Sequence, residues 1–174
     1  MEDLFAGVDV STQGQKIVII DLEKRSVIYS DSINYDIDLP KYNTLNGVLK
    51  DTDFGVSESN PNMWIDSLHR LFERLKTSSD IIQSIKAISI AGQQHGLVAV
   101  DKDGNLAKST SKLWNDFSTA EECEILTKEI GGSEQMITEV ANSQRTGYTA
   151  SKIFHMYRNE RELYDNTDHF LLVH

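Results

Sequence analysis

Hydrophobic and polar residues alternate along the first 35 positions as they do in β-strands. Leu4 to Val10 is a short apolar run, and Lys16 to Ile20 is dense in β-branched residues. Arg25 to Tyr35 follows with alternating apolar residues. Short polar turns join these runs, and we expect Gly14 to supply an unusual backbone angle in the first turn. The pattern predicts three consecutive antiparallel strands, beginning with a hairpin.

The middle of the chain changes from a polar stretch to helical spacing. Residues 36–59 are polar with little periodicity, which predicts a long loop. Asn60 and Pro61 form the N-cap and first-turn pair of a helix. The apolar residues that follow recur at helical spacing, so they predict a helix that packs one face on a sheet. These residues are Trp64, Leu68, Leu71, Phe72 and Leu75.

Strands and helices alternate in the rest of the chain. Ser118-x-x-Glu121 and Thr119-x-x-Glu122 resemble capping boxes ahead of a helix that the Gly131-Gly132 pair ends. A helix that begins at Thr149 is expected to bury Ile153, Phe154 and Tyr157. The predicted strands are Ile85 to Ala91, Leu97 to Val100, Ser111 to Trp114 and Phe170 to Val173, and the further helices are Ser133 to Val140, one from Thr149, and Asn159 to Tyr164. This order predicts an α/β fold with a mixed sheet flanked by helices.

Composition and charge exclude several classes of protein. The 174 residues are 39% hydrophobic and 25% charged, which suits one compact domain with a sizeable core. The formal charge of −10 argues against a nucleic-acid or anionic-membrane surface. A single cysteine, Cys123, fits a reducing compartment, and we expect it to be a buried structural thiol.

Both ends of the chain carry information about its context. Acidic Glu2 and Asp3 replace the basic start of a signal peptide, and no apolar run approaches membrane-spanning length. We therefore expect a cytoplasmic protein. The final run, Leu171 to His174, is an apolar strand without a following turn, so we expect that the chain is cut within a domain.

The loop after the first strand is the first candidate site. A carboxylate at Asp9 could reach a magnesium ion, and Ser11, Thr12 and the loop amides could hydrogen-bond phosphate oxygens. The same residue types are typical of any tight turn. The residues by themselves therefore leave a phosphate loop and an ordinary turn both open.

The remaining candidates are a histidine and two tryptophans. His95 lies between Gly92 and Gly96, which could let the backbone approach a ligand, and this favours a binding role over a structural one. Trp64 fits a core-facing stripe, whereas Trp114 precedes two polar residues and suits the core or a pocket equally. The other histidines show no metal-ligand spacing and are expected to be structural or exposed: His69, His155, His169 and His174.

Four segments, in this order, resemble those of the FGGY carbohydrate kinases. They are Asp9 to Gln13, Ile90 to Gly96, Leu113 to Asp116 and Thr146 to Lys152. The resemblance covers nearly all of the chain. It implies an actin-like, ribonuclease-H-like fold in which residues 1–174 are most of an N-terminal, sugar-binding domain. It also implies that the C-terminal domain, which would form the other wall of the substrate cleft, is absent from this chain.

The resemblance also implies roles for residues. Asp9 would lie near the magnesium ion and the transferred phosphate, and Ser11, Thr12 and Gln13 would line the phosphate loop. The residues implied to contact the sugar are Gln94, His95, Trp114, Asn115 and Asp116. Gln94 departs from the commonest form of its motif, which has Met there, and this leaves the exact sugar open.

The implied activity is ATP-dependent phosphorylation of a ketopentose, D-xylulose first, with Mg²⁺. The family's general base is an aspartate in a later conserved block, and none of the 174 residues matches it, so we expect the chain alone to be inactive. One alternative is a truncated, non-catalytic module that binds a sugar or another protein. Another is an unrelated nucleotide-binding protein, although the G-x-G-x-x-G and G-x-x-x-x-G-K patterns are absent. The sequence leaves open whether the protein forms a homodimer.

Overall fold

A computed structural model describes residues 3–173, which form two compact units. The first comprises residues 3–50 and 60–93, and the second comprises residues 51–59 and 94–173. The strands are β1 Leu4–Val10, β2 Gly14–Asp21, β3 Ser26–Asn34, β4 Thr44–Leu45, β5 Val48–Leu49, β6 Glu58–Ser59, β7 Ile85–Gly92, β8 Val98–Val100, β9 Ser111–Lys112 and β10 His169–Leu171. The helices are α1 Tyr35–Asp38, α2 Pro61–Ser78, α3 Ala120–Glu129, α4 Ser133–Val140, α5 Thr149–Asn159 and α6 Arg161–Asp165.

A four-stranded mixed sheet organises the first unit. Its order is β3-β2-β1-β7, with β1, β2 and β3 antiparallel and β7 parallel to β1. Alternate side chains of β1 point to opposite faces, so Leu4 and Val8 are buried on one face while Gly7 and Asp9 lie on the other. The three predicted opening strands are confirmed. Asp9 is the second-to-last residue of β1.

Helix α2 begins and packs as its sequence predicts. Asn60 caps it by accepting a hydrogen bond from the Asn62 amide at 2.9 Å, with Pro61 in the first turn. The helix packs against β2 and β3. Its buried residues include Trp64, Leu71 and Leu75 from the predicted stripe, together with Met63 and Ser67. Leu68 and Phe72 are only partly buried.

Two predictions for the first 59 residues are wrong. Gly14 is the first residue of β2 and is not at a positive φ. A Cβ there would lie 2.4 Å from the Ile33 carbonyl oxygen, so glycine is needed for the close approach of the two strands. Residues 36–59 are not one irregular loop, because they hold a 3₁₀ turn at Pro40–Tyr42 and three short strands. Asp36 organises the β4–β5 hairpin, since its carboxylate accepts from the Thr44 hydroxyl at 2.7 Å and the Gly47 amide at 3.1 Å.

The second unit combines two small sheets with four helices. β10 pairs antiparallel with β8, and β6 pairs antiparallel with β9. Ala99, Ala107 and Met156 form a buried cluster, against which Tyr164 and Phe170 pack. This cluster fixes α5 against β8 and β10.

Several details of the second unit differ from the prediction. Thr119 precedes α3, but its side chain forms no capping hydrogen bond with that helix. Its hydroxyl lies instead 3.1 Å from the Thr146 carbonyl oxygen and 3.0 Å from the Ser151 hydroxyl, and it can donate to either one. Tyr157 is exposed, and the buried residues of α5 are Ser151, Lys152 and Met156. β9 ends at Lys112 rather than Trp114, and Cys123 is only partly buried.

Among residues 3–173, no helix is both long enough and apolar enough to cross a membrane.

Candidate functional site

The first unit presents Asp9 at the end of β1, next to a tight turn. The Asp9 side chain is exposed, and the Ser11 hydroxyl donates to its Oδ2 at 2.7 Å. The Ser11 amide donates to the Gly14 carbonyl at 3.0 Å and closes the turn. The hairpin therefore brings a carboxylate and a hydroxyl together at its tip.

The rest of this turn is held by the chain around it. The Thr12 hydroxyl lies 3.3 Å from Gln93 Oε1, and the Gln13 carbonyl accepts from the Tyr35 amide at 3.1 Å. Gly47 passes so close that a Cβ there would lie 1.8 Å from the Thr12 carbonyl oxygen. Since Gly47 also has a φ of 77°, glycine is required at this contact on two grounds. The phosphate-loop candidates Ser11, Thr12 and Gln13 thus lie on a supported turn.

Lys16 is a candidate that the sequence analysis missed. The register of the β1–β2 pair places Lys16 directly opposite Asp9, so the two side chains lie on the same face of the sheet. Both belong to an open depression of about 270 Å³. The hairpin could have identified Lys16 from the sequence, because a turn centred on Thr12 and Gln13 places position 16 opposite position 9. The remaining lining residues are Gly7, Val8, Val18, Ser89 and Ala91.

Asp9 is suited to magnesium only in a shared site. Residues 3–173 contain no group of three or more His, Cys, Asp or Glu side chains that could hold a metal ion. Mg²⁺ usually keeps several waters and is bound through one or two carboxylates together with substrate phosphates. A single exposed carboxylate beside hydroxyls fits that mode, whereas an all-protein metal cage does not.

In the second unit, His95 has an uncommon backbone conformation. Its φ is 60°, in the left-handed region that residues other than glycine rarely adopt. The Lys152 ammonium donates to the His95 carbonyl oxygen at 2.6 Å, and the Tyr148 ring lies 4.6 Å from the imidazole, centroid to centroid. Partial burial and then the positive charge of Lys152 lower the pKa of His95 below its usual range. The imidazole is therefore neutral at pH 7, with one nitrogen able to donate and the other to accept. Its neighbour Gln94 is exposed.

The segment from Trp114 to Asp116 contains one exposed and one fully buried side chain. Trp114 is 51% exposed, so it is not a core residue. Asn115 Oδ1 accepts from the Ser57 hydroxyl at 2.8 Å. Asp116 is 0% exposed and accepts from the Ser57 amide at 2.8 Å and the Ser118 hydroxyl at 2.6 Å. The buried carboxylate ties three parts of the unit together, and its direct contact with a sugar stays a prediction.

Lys152, like Lys16, is a residue that sequence reasoning missed. It is 1% exposed, and burial lowers its pKa to about 8. Lysine is almost never fully buried unless it is paired, and nothing in the helical spacing around it predicted its burial.

Each unit gathers its own candidates. Asp9 and Ser11 are bonded within the first unit, where Thr12 and Gln13 adjoin them. The second unit contains Gln94, His95, Trp114, Asn115 and Asp116. In that unit the segment from Thr146 to Lys152 contacts two of the candidate regions, since a Cβ on Gly147 would lie 2.1 Å from the Trp114 carbonyl oxygen.

Comparison with known proteins places this arrangement in a family. The model of the FGGY family of carbohydrate kinases, N-terminal domain, matches residues 4–174. The chain belongs to that family. The resemblance seen in the four sequence motifs is thereby confirmed.

Individual relatives agree with this assignment. A xylulose kinase from Schizosaccharomyces pombe is 35% identical, with 98% of this chain and 33% of the relative covered. A xylulose kinase from Haemophilus influenzae is 32% identical, with 98% of this chain and 33% of the relative covered. The FGGY chain thus spans about a third of the length of these relatives.

Solved structures confirm the fold. A protein described as a "xyloylose kinase" from Brucella ovis superposes with a TM-score of 0.82 at 24% identity, over 98% of this chain and 32% of that one. The predicted α/β fold with a mixed sheet and flanking helices is confirmed, in agreement with the actin-like type.

Proposed function

We propose that this FGGY chain is the sugar-binding portion of an ATP-dependent kinase that phosphorylates a ketopentose, with D-xylulose as the first candidate. The observation that carries the proposal is the β1–β2 hairpin, which sets the Asp9 carboxylate beside the Ser11 hydroxyl and opposite Lys16. The similarity to xylulose kinases supports the choice of sugar. Residues 1–174 then correspond to most of the N-terminal domain, and a C-terminal domain completes the enzyme.

The hairpin residues act on the phosphate side of the reaction. ATP would supply the phosphoryl group, and a bound Mg²⁺ would offset its charge. Asp9 would hold the metal through its exposed carboxylate, and the Ser11 and Thr12 hydroxyls, which contact Asp9 and Gln93 in this structure, would rotate to donate to phosphate oxygens. Lys16 adds a positive charge on the same face. Phosphoryl transfer depends mainly on positioning and charge stabilisation, and these residue types provide both.

The second unit supplies groups that recognise a polyol. The neutral imidazole of His95 can donate or accept a hydrogen bond, and the Gln94 amide offers one donor group and one acceptor. The exposed Trp114 provides an aromatic face against which a sugar ring or chain can pack. Asn115 is oriented by Ser57 and follows Trp114 directly in the sequence. Asp116 contributes mainly by holding its neighbours, because its carboxylate oxygens already accept protein hydrogen bonds.

The proton of the attacking sugar hydroxyl needs an acceptor outside these candidates. Two of the candidates are carboxylates. Asp9 belongs to the first unit and is assigned to the metal, and Asp116 is buried and already accepts protein hydrogen bonds. We assign the general base to the C-terminal domain, and the 174-residue chain alone is therefore inactive. The competing function is a non-catalytic module that binds a sugar or a protein.

A sugar panel on the complete open reading frame that carries this chain tests the proposal. ATP consumption is measured with D-xylulose, its pentulose epimers, and glycerol as a short polyol. We expect the highest kcat/KM with D-xylulose. Sugar binding without ATP consumption by any substrate would favour the non-catalytic module.

A further inference from the structure

The backbone of His95 needs support from its surroundings. A residue with a side chain at a φ of 60° is strained, and such conformations persist when neighbouring contacts over-determine them. Two neighbours from the segment Thr146 to Lys152 contact His95. One contacts its main chain and the other its ring. The family-like segment Thr146 to Lys152, to which the sequence assigned no role, therefore contacts the proposed sugar-binding histidine at two points.

Lys152 contacts the main chain. It is the fourth residue of α5, and its ammonium donates to the His95 carbonyl oxygen at 2.6 Å while the side chain is 1% exposed. Burying an ammonium group is costly unless it forms hydrogen bonds. Hydrogen bonds from charged donors are shorter and stronger than neutral ones. A lysine at this position therefore holds the His95 peptide more firmly than a neutral side chain would.

Tyr148 contacts the ring. Its ring lies 4.6 Å from the His95 imidazole with the two planes inclined at 36°. Its own backbone is fixed, because its amide donates to the Arg145 carbonyl at 3.0 Å and its carbonyl accepts from the Ser151 hydroxyl at 3.2 Å. The aromatic ring thus lies against one side of the imidazole and projects from a backbone that is held by hydrogen bonds.

We propose that Lys152 and Tyr148 form a clamp that positions His95 for the sugar, so that both are positioning residues that set sugar affinity. The inference rests on the proposed function of His95. Lys152 orients the His95 peptide, and Tyr148 limits the rotation of its ring. A loosened imidazole would bind the same hydroxyl at a greater entropic cost.

The charges around Lys152 belong to several elements. Asp116 favours the charged ammonium, and Lys112 opposes it. Lys112 also lies 3.4 Å from Glu58 and 3.5 Å from Asp116, so these two cations are balanced by two acids. A small cavity next to Lys152 is lined in addition by Lys108, His155 and Glu160. A substitution of Lys152 also changes the net charge of this group, so its control must remove a different cation from the same group.

Four variants of the complete protein test the clamp. Lys152→Met removes the ammonium at similar length, and Tyr148→Ala removes the ring. Tyr148→Phe keeps the ring and should restore the wild-type behaviour lost in Tyr148→Ala. Lys108→Met is the matched control, because Lys108 belongs to the same cluster but pairs with Glu160 at 2.6 Å.

Kinetics provide the first measurement. Lys152→Met and Tyr148→Ala should each raise the KM for D-xylulose about tenfold, the loss expected for one hydrogen bond or contact that orients a ligand group. The KM for ATP should stay within about twofold. Lys108→Met should leave both KM values near wild type.

Chemical modification of His95 provides a second measurement that does not depend on the reaction. Diethyl pyrocarbonate labelling is followed by peptide mass spectrometry across a range of pH. Removal of the Lys152 charge should move the labelling midpoint of His95 to higher pH, and Tyr148→Ala should speed its labelling. His69, on α2, serves as the internal reference.

The outcomes separate the clamp from the proposed function. Wild-type sugar KM and wild-type His95 labelling in Tyr148→Ala would overturn the clamp, even if Lys152→Met does not fold. An unchanged sugar KM in His95→Ala would overturn the sugar-binding role of His95. In that case the labelling data still decide whether Lys152 and Tyr148 hold the imidazole.

Discussion

Asp9 and Lys16 lie directly opposite each other across the β1–β2 pair, and both side chains occupy the same face of the sheet. In the proposed function, the Asp9 carboxylate binds the metal and the Lys16 ammonium binds a phosphate oxygen. The turn between them is fixed by the Ser11 hydroxyl, which donates to Asp9, and by the close passage of Gly47 against Thr12. The proposed function and the local packing therefore depend on the same hairpin.

Replacement of Lys16 tests the phosphate-binding charge. Lys16→Met should raise the KM for ATP about tenfold, because one charge-assisted contact to a phosphate is lost. Lys16→Arg retains the charge and should recover most of the affinity. A sugar KM that rose while the ATP KM stayed constant would contradict the assignment.

Substitution of Gly47 tests how the hairpin is supported. Gly47→Ala should lower the melting temperature and the turnover, since the new Cβ would lie 1.8 Å from the Thr12 carbonyl oxygen and the turn must move. Gly104→Ala is the matched control, because Gly104 has a φ of 82° but nothing lies within 4 Å of its Cβ position.

The control separates backbone strain from displacement of the turn. Gly104→Ala should cost only the left-handed strain of about 1–2 kcal/mol and leave turnover unchanged. Gly47→Ala should cost more by calorimetry and should impair catalysis as well. Equal losses of stability and turnover in the two variants would show that the close contact between Gly47 and Thr12 does not support the hairpin.

Asp116→Asn separates a structural from a sugar-binding role. The substitution weakens a buried acceptor for Ser57 and Ser118, so we expect a loss of stability of about 2–4 kcal/mol by chemical denaturation. Asp103→Asn, an exposed carboxylate in the turn after β8, is the control and should be neutral. If Asp116→Asn instead raised the sugar KM at unchanged stability, the carboxylate would be a direct sugar ligand.

Lys152 makes stability depend on pH in a defined window. Burial lowers its pKa from 10.5 to about 8, so between these values the unfolded chain binds the proton and the folded chain does not. Stability rises with pH wherever the unfolded state binds more protons. The contribution of Lys152 is therefore unfavourable below pH 8 and is progressively relieved as the pH rises towards 10.5.

The measurement is the difference in unfolding free energy between wild type and Lys152→Met at several pH values. The stability of the wild type should increase relative to the variant from pH 8 to 10. A difference that stays constant across this range would contradict the lowered pKa.

Much of the first unit could be predicted from local pattern. Alternating apolar residues in Leu4–Val10 and β-branched residues in β2 determine the hairpin, and the Asn60-Pro61 pair determines the start of α2. These signals are strong because each of these elements depends on one local feature, either the alternation of apolar residues along a strand or the residues that begin a helix. The exception is residues 36–59, where the short strands depend on Asp36 and on a partner strand far along the chain.

The sequence predicted which residue types form the candidate site, but it did not predict the buried side chains that hold them in place. His95 and Asp9 were accessible through motif resemblance, whereas the burial of Lys152 and the inward turn of Asp116 depend on tertiary contacts. Charged residues normally favour the surface, so no local pattern indicates a buried lysine or aspartate. The same holds for Thr119, whose hydroxyl contacts a distant segment rather than capping its own helix.

The chain by itself should show no ATP-dependent phosphorylation of D-xylulose, because the proposed function assigns the general base and the second wall of the cleft to a C-terminal domain. Circular dichroism would first establish that the 174-residue chain folds. Measurable turnover by the folded chain would overturn the assignment of the base to the C-terminal domain.

The most direct test is ATP consumption with D-xylulose by the complete protein, compared between wild type and Asp9→Asn. The account predicts robust activity in the wild type and a loss of about 100-fold or more in kcat for the variant, with the sugar KM little changed. Asp103→Asn should behave as wild type. Undiminished turnover by Asp9→Asn would contradict the central claim that the β1–β2 hairpin is the phosphate-facing part of a sugar kinase.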